Sequence, residues 1–129
     1  PLQAVAFVVV QQGLFGLYLG CSFAPNHKGM PTLTTDQQLD FLHRQVLPAR
    51  NVRGSRLVDF LLGGLNYQIE HHLFPNLPRP NLRHAQPLVR AFCQQHGISY
   101  TEASLFGSYT QALRHLHAVG APLRPAVDD

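Results

Sequence analysis

The residues of this chain best suited to chemistry are two adjacent histidines, His71 and His72, with an amide, Gln68, three and four positions before them. On a helix those spacings put the three side chains on one broad face. Neighbouring side chains diverge by about 100° around a helix axis, so the two imidazoles suit adjacent metal ions better than one shared ion. Imidazole binds iron, zinc and copper alike, and two histidines do not choose among them. Glu70 is a candidate acceptor for a ligand's free ring N–H, with Asp59 or a backbone carbonyl as alternatives. In an arbitrary protein a histidine pair beside an apolar helix is more often a surface or core pair than a ligand set. His27 adds weight to the metal reading, because it follows a long apolar segment at a level where His71 and His72 could also lie. Three histidines alone do not make a two-metal site.

The elements that must position these residues are all expected to be helices. Leu2 to Phe23 is long enough to cross a bilayer core, which takes about 20 residues. Pro1 to His27 holds no Asp, Glu, Lys or Arg, and all ten Lys and Arg residues lie from Lys28 onward. That asymmetry predicts a membrane span over residues 1–24 and a cytoplasmic helical part over 25–129. A buried helix of a larger soluble protein is the alternative. Gln11 and Gln12 should face protein rather than acyl chains, and Gly13, Gly16 and Gly20 form a small-residue face for close helix approach. The net charge of +3 suits anionic lipid. The scattered arginines, without an aromatic-basic stripe, argue against nucleic acid. Cys21 and Cys93 form no CxxC pair and read as reduced apolar residues.

Pro25 to Pro31 should break the first helix. A second is expected from Thr35, with Asp36 in its first turn and Gln38 at the capping-box position, ending at Pro48 with Leu39, Leu42 and Val46 inward. Ala49 to Arg56 reads as a basic connector. Ser55 is the expected N-cap of one continuous helix through His72, closed by Pro75, Pro78 and Pro80. Leu82, Ala85, Val89, Phe92 and Cys93 mark a further amphipathic helix stopped by Gly97. Leu105, Tyr109, Ala112, Leu113, Leu116 and Val119 mark the last, stopped by Gly120. Pro122 to Asp129 reads as a frayed tail. A chain that begins inside an apolar segment reads as the end of something longer. Alone it is expected to be poorly stable, because its glycine and histidine faces lack partners.

The string Gly63-Gly64-Leu65-Asn66-Tyr67-Gln68-Ile69-Glu70-His71-His72-Leu73-Phe74-Pro75, with Pro78 and Arg79 beyond it, resembles the third histidine box of membrane-bound acyl desaturases. The Gln-x-x-His-His form is that of the front-end type, Gln68 standing where other boxes have their first histidine. Phe23-Ala24-Pro25-Asn26-His27-Lys28-Gly29-Met30-Pro31 is similar to the segment after the last span of that family. The resemblance covers the whole chain as a carboxyl-terminal part.

The resemblance implies a centre of two iron ions on the cytoplasmic side of the membrane. His71, His72 and His27 would be metal ligands. Asn26 would act at one remove or through water, and Gln68 would orient the site or ligate weakly. It further implies a cis double bond introduced into a fatty acyl chain, lipid-linked or a CoA thioester, with dioxygen. The electrons would come from a small haem protein or a ferredoxin with its reductase. The family's other two boxes, His-x(3–4)-His and His-x(2–3)-His-His, do not occur here; His43, His84, His96, His115 and His117 form no such pattern, and His84, His96, His115 and His117 read as surface residues. This segment alone is therefore expected to be inactive. Alternative readings are a lipid hydroxylase of the same chemistry and a non-catalytic membrane-attached remnant or interaction protein. A structural zinc module is weaker still, for want of clustered Cys and His.

Overall fold

Residues 1–34 and 36–123 are described by a computed structural model. Helix α1 (Leu2–His27) runs for 26 residues, about 39 Å at 1.5 Å per residue. It is long and apolar enough to cross a membrane. Its side chains from Leu2 to Gln12 are all exposed, Gln11 and Gln12 included, and a Cβ at Gly13, Gly16 or Gly20 would meet nothing within 4 Å.

The expected break over Pro25 to Pro31 comes after His27, later than the span limit of residue 24 foreseen, so that Pro25 and Asn26 lie inside α1, both buried. Pro25 has no N–H to offer the Cys21 carbonyl, four residues earlier. The Tyr109 hydroxyl donates to that carbonyl instead, at 2.7 Å, from helix α6 (Leu105–Val119). Arg50, fully buried, closes the end of α1. Its backbone N–H donates to the Asn26 carbonyl at 3.0 Å. Its Nε and Nη2 donate to the Pro25 carbonyl at 2.8 and 2.6 Å, and Nη2 also reaches the Lys28 carbonyl at 2.9 Å. A helix C-terminus leaves carbonyls unpaired and carries partial negative charge, so a guanidinium suits it twice over.

The second helix, α2 (Phe41–Val46), starts later than expected. Asp40 caps it, its carboxylate accepting the His43 N–H at 2.8 Å, so Asp36 and Gln38 precede the helix; Thr35 lies outside the described residues. The expected connector after Pro48 contains a strand, β1 (Asn51–Arg53), buried at Asn51 and Val52 and paired in parallel with β2 (Glu102–Ser104) so that Val52 pairs with Ala103. The chain is mostly helical, as expected, with this short ladder added.

The helix foreseen through His72 is two helices, α3 (Arg56–Leu61) and α4 (Gln68–Leu73), so among the described residues five α-helices follow α1 rather than four. Gly63 and Gly64 cause the division: their φ values of +57° and +77° lie where residues with a Cβ pay a steric cost. The Gly64 N–H closes the end of α3 on the Asp59 carbonyl at 2.8 Å, and the Asn66 carbonyl then accepts the Val52 N–H of β1 at 2.9 Å. Ser55 holds the N-cap position of α3 without a side-chain capping bond.

Helix α5 (Arg79–Gln95) buries Leu82, Val89 and Cys93 and is followed by Gly97 at φ +67°. Phe92, foreseen on the inner face, is exposed and stacks on His96 with ring centroids 4.0 Å apart. Helix α6 starts at Ser104, whose hydroxyl accepts the Gly107 N–H at 3.1 Å. It buries Ser108 and Ala112 but leaves Leu113, Leu116 and Val119 exposed, since α1 and the strands cover one side of it only. Gly120 keeps right-handed geometry, φ −78°. A 3-10 turn, Ala121–Leu123, follows, and the rest of the foreseen tail lies outside the described residues. The core lies beneath α4: Val46, Ala49, Ile69, Val89, Cys93 and Ile98.

Candidate metal centre

Ile69 anchors α4 in that core, so the side chains on either side of it in sequence face elsewhere. The helix is only six residues long, too short to hold itself, and its start is fixed from outside. The Asn51 side chain of β1 accepts the Ile69 N–H at 2.9 Å. Its Nδ2 donates to Glu70 and to the Tyr100 hydroxyl, both at 2.6 Å, and Tyr100 donates to the other Glu70 oxygen at 2.7 Å. Glu70 is fully buried. Burial raises its pKa, an effect the Tyr100 and Asn51 hydrogen bonds oppose. Its oxygens are taken up by this network, so Glu70 is a structural group here and not the acceptor for a histidine.

That acceptor is a backbone carbonyl. His72 Nδ1 lies 3.2 Å from the Gln45 carbonyl, so Nδ1 carries the proton and Nε2 the lone pair. Gln68 Nε2 stands 3.0 Å from that Nε2 and donates to it. A metal on His72 would compete with Gln68 for this one lone pair.

The structure brings His27, at the end of α1, against α4: the His27 and His72 rings stack with centroids 5.2 Å apart and 21° between planes. The His71 and His72 centroids are 6.4 Å apart, tilted by 44°. Asn26, fully buried, ties α1 to the turn before α4, donating from Nδ2 to the Ser22 carbonyl at 3.2 Å and the Leu65 carbonyl at 3.0 Å. An open cleft of about 440 Å³ adjoins His27, lined also by Met30, Thr34, Arg44 and Pro48. All five residues singled out from the sequence thus meet at the junction of α1 and α4. Of the other histidines, His43 pairs with Asp40 at 2.7 Å. His84, His96 and His117 are exposed, and His115 is half-buried.

Buried polar atoms ordinarily find partners. Among the described residues four side-chain atoms do not, and three belong to this junction: Asn26 Oδ1, Gln68 Oε1 and His71 Nδ1. All three can present a lone pair. Burial, then the charges of His72 and Arg79, lower the His71 pKa, which keeps the ring neutral, the form that binds metal. This donor set fits part of a metal shell. It does not close one: among the described residues, no three His, Cys, Asp or Glu side chains gather closely enough to hold an ion.

Sequence reasoning missed Arg50, Asn51 and the Gln45 carbonyl. Each acts on the site through a hydrogen bond to a residue 18 or more positions away, and no local pattern marks such a partner.

The family model for fatty acid desaturases matches residues 1–104. The chain is 35% identical over 117 residues to the acyl-lipid (9-3)-desaturase of Physcomitrium patens, covering 91% of this chain and 22% of that protein. It is 35% identical over 118 residues to the Delta(6)-fatty-acid desaturase fat-3 of Caenorhabditis elegans, covering 90% and 26%. It is also 46% identical over 76 residues to the Delta 8-(E)-sphingolipid desaturase of Candida albicans, covering 59% and 13%. The chain thus spans about a quarter or less of the length of these relatives. No solved structure matches it. With the family model matched over residues 1–104 and the Gln-x-x-His-His box set against the end of an apolar helix, the chain belongs to the fatty acid desaturase family.

Proposed function

We propose that this chain is the carboxyl-terminal segment of a histidine-ligated di-iron desaturase that introduces a double bond into a fatty acyl chain. The observation that carries the reading is the set of unpartnered, buried donor atoms, His71 Nδ1, Gln68 Oε1 and Asn26 Oδ1, gathered beside the stacked His27 and His72. His71, His72 and His27 would hold metal, with Gln68 and Asn26 alongside. Iron, when bound, supplies the activation of dioxygen needed to remove hydrogen from an unactivated C–H. In balance, the acyl chain loses two hydrogen atoms, and dioxygen, with two electrons from a haem protein or ferredoxin and two protons from solvent, leaves as two water molecules. The residues of this segment position the centre. The Gln45 carbonyl fixes the His72 tautomer, burial keeps His71 neutral, and Asn26 and Arg50 pin the end of α1 against the box.

The apolar α1 and the basic residues beyond it support a membrane location with the centre on the cytoplasmic side. The remaining ligands would come from other parts of the intact protein, so the segment alone would be inactive. The match to a sphingolipid desaturase favours a second reading in which the chain acted on is a sphingoid base.

Expression of the intact protein in a host without the corresponding unsaturated lipids, followed by fatty-acid and sphingoid-base analysis, tests the proposal. A new double bond that disappears in His71→Ala and in His72→Ala is expected. A hydroxylated product without a new double bond would make it a hydroxylase, no new product would make it non-catalytic, and a double bond indifferent to both substitutions would rule out both histidines as ligands.

A further inference from the structure

A second cleft, of about 630 Å³, lies between α3, the Gly63-Gly64 turn and the start of α5. Arg56, Arg79 and Arg83 line it, with Asp59 as the one carboxylate. Asp59 already accepts from Asn66 Nδ2 at 2.8 Å and from the Tyr67 hydroxyl at 3.4 Å. Among the described residues none of the three arginines forms an ion pair. Arg79 makes one long bond to the Gly63 carbonyl, 3.4 Å, and Arg83 one to His84, 3.2 Å. The wall is shaped by glycine: a Cβ on Gly64 would stand 3.2 Å from the Arg79 Cβ. Three like charges around one hollow repel each other, and an anion from outside relieves that repulsion. Guanidinium forks match phosphate oxygens two at a time.

The rim is apolar. Phe60 lines the same cleft and is 80% exposed, with Leu57 and Leu61 exposed beside it on α3. The Leu61 carbonyl accepts the Tyr18 hydroxyl of α1 at 3.0 Å, so this edge stands against the helix long and apolar enough to cross a membrane. Cations in the hollow, an apolar rim and an adjoining membrane-type helix together match an amphiphile whose head is a phosphate.

We propose that this cleft binds the phosphate of a membrane phospholipid and so holds the headgroup of a lipid-linked acyl substrate near α4. The arginines take the phosphate, the chain leaves over Phe60 towards α1, and Asp59 with the Tyr67 ring offers a place for an amine on the headgroup. A free phosphate would use the arginines but neither the apolar rim nor Asp59, and a nucleotide thioester would bring a chain for the rim but no cationic headgroup amine for Asp59. The substrate part of this assignment rests on the desaturase reading; the binding part does not.

The test uses the intact protein, stripped of metal, in a sugar-headed detergent. It is titrated with a short-chain phosphatidylcholine and with the diacylglycerol of the same chains. Phosphatidylcholine is expected to bind about tenfold more tightly or better, as the loss of one charged hydrogen bond implies. Arg56→Gln with Arg83→Gln, both exposed and so sparing the fold, should weaken it by about tenfold or more, and Arg79→Lys by less than Arg79→Gln. Equal binding of the two lipids, or unchanged affinity in the arginine variants, would overturn the site. Displacement of the lipid by inorganic phosphate or coenzyme A at matched concentration would overturn the lipid assignment in favour of a soluble phosphate ester. Because neither iron nor turnover enters the measurement, a failure here leaves the desaturase reading standing. A loss of desaturation with lipid binding intact would do the reverse.

Discussion

Glu70 sits in the middle of the histidine box yet faces away from it, buried among Asn51, Tyr100 and the core under α4. A carboxylate without a cation there costs desolvation energy, and two donated hydrogen bonds offset only part of it. Its pKa is raised on folding from the ordinary value near 4.5. The sign follows from proton linkage: the folded state holds the proton at pH values where the unfolded state has lost it. Stability therefore falls as pH rises from about 4.5 through the folded pKa, and levels off above it. Glu70→Gln, which keeps the shape and an acceptor, should flatten that limb of the stability curve, measured as thermal midpoint against pH. An unchanged slope would show that Glu70 is ionised throughout. At this scale the sequence named candidate residues, and the structure shows where they lie. His27, His71, His72, Gln68 and Asn26 were all singled out from type, spacing and resemblance, and the structure gathers them at one junction. Arg50 was read as part of a basic connector because arginine is ordinarily exposed; its burial is made possible only by carbonyls at the end of α1, distant in sequence.

Among the elements, α5 and α6 were legible because a 3.6-residue period sustained over four turns leaves little ambiguity. The ladder of β1 and β2 was not, since three residues cannot establish a period of two. The break between α3 and α4 was missed for a different reason: a glycine pair is compatible with a helical pattern, and only the observed positive φ shows that the pair ends it. Both glycines there are left-handed, but their surroundings differ. Gly63 has only the flexible tip of Arg79 nearby, at 3.5 Å, whereas a Cβ on Gly64 meets the Arg79 Cβ at 3.2 Å. Gly63→Ala should cost about 1 kcal/mol, the usual left-handed penalty, and Gly64→Ala about 2 kcal/mol or more once crowding is added. Denaturant unfolding of the intact protein orders the two, and the reverse order would contradict the turn geometry. Tyr109→Phe removes the donor that serves the carbonyl left unpaired by Pro25. It should cost about 1 kcal/mol and loosen α6 from α1, read as faster amide exchange at the end of α1; unchanged exchange would mean that water serves the Cys21 carbonyl equally well.

As a whole, the molecule is an apolar helix with a small helical cap folded over its end, and the cap's core lies directly beneath the candidate ligands. That arrangement puts the candidate metal centre where the apolar helix and the cap meet, with unpartnered lone pairs at one junction and no group of three His, Cys, Asp or Glu placed to hold an ion among the described residues. The expectation of a single span rested on length and charge asymmetry, and one helix of the required length and composition is present. At Gly13, Gly16 and Gly20 a Cβ would meet nothing within 4 Å. The central claim is that His71 and His72 are ligands of iron, and the most direct measurement is metal content per intact chain by elemental mass spectrometry, before and after substitution. Two iron ions per chain are predicted, with His71→Ala and His72→Ala each losing iron while the apolar helix and helical content are retained. Iron content unchanged by both substitutions, or zinc in place of iron, would contradict it.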